Sequence, residues 1–304
     1  MIVLTGATGG LGSQVLKHIV NLVPASDIVI STTDPGRVRA SDMIPPGVEV
    51  REGDFLRPAT LPAAFAGADA LLLVSYPSIA HSLRVSAHKN AIDAARAAGV
   101  RRVFYTSLAF GDSSSVAVMR AHLDTEAYLK QSGLAYTIIR EGTYAEVAPL
   151  FFGFFNPSTS TEVYVPGDGP VAWAARDDLG EATAKIVAGD AFPNATVLLS
   201  GPGKNVLTLA QLAEFFSTQL GREVRLHVVS VDEYVRRHTN ALEPRGDPDF
   251  LREWATTYDA LIRGDLGVVD PLLERMLGRP ARTMADCMKD LLKGEGEENE
   301  RYAK

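Results

Sequence analysis

The sequence predicts an α/β fold built on a doubly wound parallel sheet, and three observations carry that prediction. Short apolar runs alternate with helical stretches from residue 1 to about 140. The run Ala70 to Val74 (ALLLV) is continuously apolar, as in a central parallel strand covered on both faces. The chain opens MIVLTGATGGLG, a buried strand, a glycine turn and a helix in that order.

Ile2, Val3 and Leu4 form the first strand, and from Leu11 apolar residues recur at helical spacing (Val15, Leu16, Ile19, Val20). Between them stand Gly6, Gly9 and Gly12, spaced G-x-x-G-x-x-G. Gly6 lets the chain leave the strand sharply, Gly9 admits a phosphate to the backbone, and Gly12 lets the helix pack close to the sheet. The helix N-terminus then aims free N–H groups at a dinucleotide pyrophosphate. A purely structural turn needs no third glycine.

Asp27 to Ser31 reads as the second strand. Folds of this kind discriminate their cofactors roughly 20 residues past the glycine turn. Thr32 and Thr33 follow the strand, and Arg37 and Arg39 come next, which favours NADP(H) over NAD(H). Asp34 weighs the other way, and a solvated turn is the alternative for both arginines. Val48 to Arg51 is the third strand; Asp54 and Phe55 after it suit an adenine, with Asp54 as the cap of a helix over 56–66 the equal alternative. The strand at 70–74 ends at Ser75 and Tyr76.

A helix over His81 to Ala98 is closed by Gly99. His81 and His88 on it have no evident third ligand, so no metal is expected. Arg102 to Thr106 is a strand ending at Ser107, a helix lies within 114–131, and Ala135 to Arg140 is a strand followed by Glu141 to Tyr144. Ligands of such sheets sit beyond the carboxyl ends of the strands. That rule gathers Gly6–Gly12, Ser75–Tyr76, Thr106–Ser107 and Glu141–Tyr144 along one edge.

Beyond 145 the alternation loosens. The aromatic run Leu150 to Phe155 suits either a pocket wall for a flat substrate or core packing. Short strands at 163–165 and 171–174 flank a Pro166-Gly167-Asp168-Gly169-Pro170 turn, and Asp177 and Asp178 open a helix to 188. A strand at 197–199, a Thr208-capped helix to 220, a strand at 224–229, an Asp232-capped helix through 238 and a helical region over 249–263 follow. The expected division is a dinucleotide-binding domain over 1–150, an interleaved smaller α/β substrate lobe over 151–292, and a flexible tail over 293–304.

Composition narrows the function classes. The net charge of −7 with no basic block argues against a nucleic-acid partner. The single cysteine, Cys287, allows no disulfide framework within the chain. No uncharged apolar run reaches the roughly 18 to 20 residues that span a bilayer. A cytoplasmic protein without membrane attachment is expected, acting on a small aromatic or conjugated molecule, with a homodimer left open.

Five stretches resemble one family: TGATGGLG at 5–12, GDF at 53–55, HKNAIDAARAAGVRRVFYTSL at 88–108, AHLDTEAYLKQSGLAYTIIREGTY at 121–144 and PGDG at 166–169. They are similar to the NmrA-like, atypical short-chain dehydrogenase/reductases, most closely the NAD(P)H–quinone oxidoreductase branch. The resemblance implies a Rossmann-type sheet and pyrophosphate binding by Gly6, Thr8, Gly9, Gly10, Leu11 and Gly12. It places Asp54 and Phe55 at adenine, and Ser75, Tyr76, Thr106 and Ser107 along the ribose–nicotinamide channel. Thr33 stands where similar quinone reductases carry an arginine for the 2′-phosphate, which shifts that role to Arg37. His122 matches a histidine of the quinone reductases where many related reductases have a lysine.

Ordinary short-chain dehydrogenases protonate an alkoxide with Tyr-x-x-x-Lys. No tyrosine here has a lysine four residues on. A quinone yields a phenolate-like anion of pKa about 10, which makes a milder demand for an acid. The expectation is an NAD(P)H-dependent reductase of a quinone or similarly activated acceptor. His122 would assist proton delivery or hold an oxygen, and Tyr144 would be a secondary donor. A polar residue on a surface helix is the bland alternative for His122. A ketone, enone or iminium reductase of secondary metabolism and a non-catalytic NADP sensor remain the competing functions.

Overall fold

A computed structural model of the chain describes residues 1–41, 44–112, 114 and 116–293; all but the first residue of the expected tail lies outside them. The first half runs β1 (Ile2–Thr5), α1 (Gly10–Ile19), β2 (Ile28–Thr32), α2 (Pro35–Arg39), β3 (Glu49–Glu52), α3 (Leu61–Phe65) and β4 (Ala70–Leu73). It continues with α4 (His81–Ala97), β5 (Arg102–Leu108), α5 (Ala117–Gln131) and β6 (Ala135–Glu141). The second half holds α6 (Ala148–Phe151), β7 (Glu162–Val165), β8 (Val171–Ala172), α7 (Arg176–Ala188), β9 (Ala195–Leu199) and β10 (Val206–Leu207). Then come α8 (Leu209–Leu220), β11 (Arg225–Val228), α9 (Val231–His238), α10 (Pro248–Arg263), α11 (Leu272–Leu277) and α12 (Met284–Lys293).

Seven strands form one sheet in the order β3-β2-β1-β4-β5-β6-β9, every pair parallel. The predicted doubly wound sheet is therefore present. Its winding reverses between β1 and β4, the position where such sheets open a crevice for a ligand. Alternate residues of each strand enter different cores. Leu4, Ile30, Leu72, Phe104 and Ile139 pack under α1, α7 and α11. Val3, Val29, Leu71, Val103 and Ile138 pack under α3, α4 and α5. The last strand, β9, comes from the second half of the chain, and α7 lies against α1, so the two halves interleave.

The remaining elements build a third core. Here β7 pairs with β11 in parallel and β8 with β10 antiparallel. Phe151, Phe152 and Phe155 are 5%, 0% and 2% exposed among Trp173, Phe216, Tyr234 and Tyr258, so the aromatic run fills this core and does not wall a pocket. The Asp168 carboxylate of the Pro-Gly-Asp-Gly turn accepts the N–H groups of Gly169 (2.7 Å) and Leu209 (2.6 Å), which fastens the turn to the start of α8.

Four local expectations change. The helix expected over 56–66 forms only at Leu61–Phe65, because Asp54 folds the chain into a turn and Pro58–Thr60 make a single 3-10 turn. Helix α9 is capped by Ser230, whose hydroxyl accepts the Glu233 N–H, rather than by Asp232. Arg37 and Arg39 lie in the short helix α2, capped by Asp34, instead of a turn. His122 is 1% exposed on α5, which removes the surface-helix alternative.

Candidate functional site

The glycine turn forms a cradle. Gly6 sits at φ 62°, a left-handed conformation that favours glycine, and an added Cβ would lie 2.9 Å from the Cβ of Val74. The Gly9 N–H donates to the Gly6 carbonyl at 2.9 Å. A Cβ on Gly12 would overlap that same carbonyl, so only glycine lets α1 approach the turn this closely. Helix α1 starts from Gly9 with no side-chain cap and no acid in its first turn. Its first N–H groups and the positive end of its dipole are thus left for an external anion. Thr8 and Gly9 are exposed beside it and Gly10 is half-buried, while Leu11 is 5% exposed and can offer only its backbone. The cradle fits a dinucleotide pyrophosphate.

At the end of β2, Thr33 and Arg37 are both exposed. Asp34 spends a carboxylate oxygen on the Arg37 N–H at 2.9 Å, which occupies it as a helix cap. Arg39 donates to the Val50 carbonyl at 2.6 Å. Of the two arginines, Arg37 is the one with no side-chain hydrogen bond or ion pair among the described residues. Past β3, Asp54 accepts the Leu56 N–H (2.8 Å) and the Arg57 Nε–H (2.8 Å), and Phe55 lies half-buried against the α3/α4 core.

The loops leaving β4 and β5 are pinned from beneath. The Ser75 N–H donates to Thr106 Oγ1 at 3.0 Å, and the Tyr76 N–H donates to His88 Nε2 at 2.8 Å. An acceptor role for Nε2 leaves the proton of His88 on Nδ1, which faces Thr125 Oγ1 at 2.8 Å; that hydroxyl in turn donates to the Ala121 carbonyl. Arg84 Nη1 donates to His122 Nε2 at 2.7 Å, so His122 carries its proton on Nδ1, 2.7 Å from the Tyr105 hydroxyl. Burial, with the charge of Arg84 beside it, pushes His88 down to about 3. The same causes hold His122 well below the usual histidine range. Both imidazoles are neutral, and burial raises the Tyr105 phenol above its ordinary value.

His122 was expected at the edge as a proton carrier or oxygen ligand. Instead both its ring nitrogens are engaged inside the protein. Ser107 is likewise 1% exposed, and its hydroxyl donates to Glu126 Oε1 at 2.7 Å. Glu126 also receives Arg140 at 2.9 and 2.7 Å. Tyr144 lies past the end of β6, half-buried, with the Arg176 guanidinium 5.2 Å from its ring centroid. His81 and His88 part company: His81 pairs with Asp124 at 2.8 Å near the surface.

Sequence reasoning gave no role to Arg84, Tyr105, Thr125, Glu126 or Arg140. A signal for the first existed. Arg84 and His88 share a helical stripe with Ala91 and Ala95, and a charge on an apolar stripe is a buried charge.

Among the described residues no helix is long and apolar enough to cross a membrane. The model of the NmrA-like family matches residues 1–244. The NmrA-like family domain-containing oxidoreductase flvB of Aspergillus flavus is 36% identical over 299 residues, 95% of this chain and 94% of that protein. Quinone oxidoreductase 2 of Escherichia coli is 33% identical over 298 residues, 96% of this chain and 98% of that one. The crystal structure of the NADPH-dependent quinone oxidoreductase from E. coli complexed with NADPH superposes with a TM-score of 0.84 at 30% identity, covering 96% of this chain and 100% of that one. The triphenylmethane reductase of Citrobacter sp. complexed with NADP(H) superposes at 0.83 with 30% identity, over 96% and 100% of the two chains. Matched in sequence along most of its length and in fold through its parallel sheet, the chain belongs to the NmrA-like family.

Proposed function

We propose that this protein is an NADP(H)-dependent reductase that delivers hydride to a quinone or a similarly activated conjugated acceptor. One observation carries the reading. The open glycine cradle of α1 faces the same sheet edge as Ser75, Thr106 and Tyr144, at the point where the winding of the sheet reverses. The bound dinucleotide supplies the hydride. The chain's own contribution is placement. Gly9 to Gly12 hold the pyrophosphate, and exposed Arg37 is the group for the 2′-phosphate. The bonds from Ser75 to Thr106 and from Tyr76 to His88 fix the wall against which the nicotinamide and the acceptor lie.

The full-length relatives named as quinone and triphenylmethane reductases support an acceptor that is flat and easily reduced. The missing Tyr-x-x-x-Lys pair agrees, since a phenolate-like product needs no strong acid at the moment of transfer. With both nitrogens of His122 occupied, we assign it to positioning, and Tyr144 is the hydroxyl nearest to a donor role. Cytoplasmic action belongs to the same reading, supported by the acidic charge balance and a single buried thiol.

The test is NADPH oxidation followed by absorbance against a panel of quinones, enones and imines. Turnover with quinones well above the other classes is the expected result. Tight NADPH binding without oxidation by any acceptor would instead make the protein a dinucleotide sensor.

A further inference from the structure

Arg84 is a buried charge without a counter-charge among the described residues. It is 8% exposed, and among the described residues no carboxylate lies within ion-pair distance. Its single hydrogen bond there is the one from Nη1 to neutral His122, and its Nε–H is buried with no partner. Arg140, on the same side of the sheet, shows the usual arrangement, paired with both Glu126 and Asp112. A fold gains nothing in stability by keeping an unpaired guanidinium in its interior. The missing anion is therefore to be sought in a ligand.

Position narrows that ligand. Arg84 lies in the first turn of α4, directly after the loop that leaves β4. His122 follows the loop that leaves β5, and Tyr144 follows β6. Burial lowers the Arg84 guanidinium from its ordinary value, with Tyr105 and Tyr144 acting weakly the other way. The helices that follow the β4 and β5 exits thus meet at this one cation, through the Arg84–His122 bond. The glycine cradle stands with α1 on the opposite face of the sheet, so the pyrophosphate is not the partner.

We propose that Arg84 binds the acceptor's oxygen as it becomes negative, and that it selects neutral acceptors which turn into anions over acceptors that carry positive charge. This rests on the reductase reading above. Hydride transfer moves two electrons and one proton from the reduced nicotinamide to a quinone; the quinone leaves as the hydroquinone monoanion, and one proton from water completes it. A guanidinium offers five N–H donors, of which His122 takes one and thereby fixes the plane of the fork. In a low-dielectric setting the same charge stabilises the anion and repels a cationic dye.

The experiment compares Arg84→Met with the wild type in three readouts. The first is binding, by calorimetry, of a hydroxynaphthoquinone that is ionised at neutral pH; the second is NADPH affinity; the third is kcat/KM for a neutral naphthoquinone against a cationic triphenylmethane dye. Expected are a loss of at least about 10-fold for the anion, NADPH affinity held within about 3-fold, and a fall of about 100-fold in the quinone-to-dye ratio. Arg84→Gln keeps a donor for His122 and carries the same expectation should the methionine variant not fold. Unchanged anion binding in a folded variant overturns the proposal. An equal loss of NADPH affinity assigns the cation to the dinucleotide and overturns it too. If the wild type binds the anion through Arg84 yet reduces no quinone, the reductase reading fails while the anion site stands.

Discussion

Arg140 and Glu141 are consecutive on β6, point to opposite faces of the sheet, and meet opposite conditions. Arg140 turns to the α4/α5 face and joins Glu126, Ser107 and Asp112 in a charged cluster. Glu141 turns to the α1/α7 face, where among the described residues its one side-chain partner is the Thr183 hydroxyl at 2.8 Å and its Oε2 has none. Burial pushes that carboxyl up to about 8, so at neutral pH it is mostly protonated. The α1/α7 side carries the glycine cradle at its edge, where backbone N–H groups are left open, and buries Glu141, Asp178 and Thr183 behind it. The α4/α5 side is polar in its interior and works through side chains, with Arg84, His88, Tyr105 and His122 behind the wall of the site. In the reading proposed above, one face binds the cofactor and the other shapes what the cofactor meets.

The strongest way to break this contrast is to remove the acid on the polar side. Glu126→Ala leaves Arg140 buried beside Ser107 with only exposed Asp112 as partner. Breaking such a buried pair costs about 3–5 kcal/mol. Urea unfolding should show that loss in the midpoint, and an unchanged midpoint would mean that solvent already reaches Arg140.

The acid on the α1/α7 side answers to pH instead. Glu141 has an ordinary value of 4.5 and a folded value of about 8. Below pH 4.5 both states hold the proton and the group does not affect stability. As pH rises from 4.5 to 8 the unfolded chain releases its proton while the folded chain keeps it, so stability falls; above 8 the folded chain ionises too and the loss levels off. The whole effect is on the order of 5 kcal/mol. Glu141→Gln should flatten the decline in urea midpoint between pH 5 and 8, and a parallel decline in wild type and variant would assign it to other groups.

The two faces were also unequally legible in the sequence. The cradle could be read because each glycine meets a local backbone demand, a positive φ at Gly6 and a Cβ-free approach at Gly12, within a span of seven residues. The same locality let the Thr208 cap and the six strands of the first half be anticipated, but not that β9 of the second half joins their sheet. The polar face is assembled from partners far apart in the chain, Arg84 with His122 and Ser107 with Glu126, and spacing gives no hint of which polar residue meets which. His122 was therefore singled out with no sign that it is buried and bonded to Arg84 and Tyr105. Arg84 was passed over although its helical stripe marked it as buried.

On the cradle itself, Gly12→Ala sharpens the contrast by acting on backbone alone. The new methyl group would collide with the Gly6 carbonyl, which can yield only by opening the turn. NADPH affinity should fall about 100-fold, near 3 kcal/mol. The near-surface His81–Asp124 contact and the Tyr105 network lie on the other face, so tyrosine fluorescence from the buried core should change little. A loss of that signal along with binding would show the two faces to be coupled.

The smallest expected effect concerns the phosphate at the adenosine end. Thr33 and Arg37 are exposed, Asp34 is held as the cap of α2, and Arg39 is tied to Val50, which leaves one solvated guanidinium for the proposed phosphate contact. A single exposed charge–phosphate contact is screened by water and salt. Arg37→Ala should weaken NADPH binding about 10-fold at low salt, near 1.4 kcal/mol, and less as salt rises, with NADH affinity unchanged. Because Asp34 accepts from the Arg37 backbone, the cap survives the substitution and the helix should stay in place. Equal losses for NADPH and NADH would show that Arg37 supports the end of β2 rather than reading the phosphate, and the preference for NADP(H) would then have to come from elsewhere in the loop.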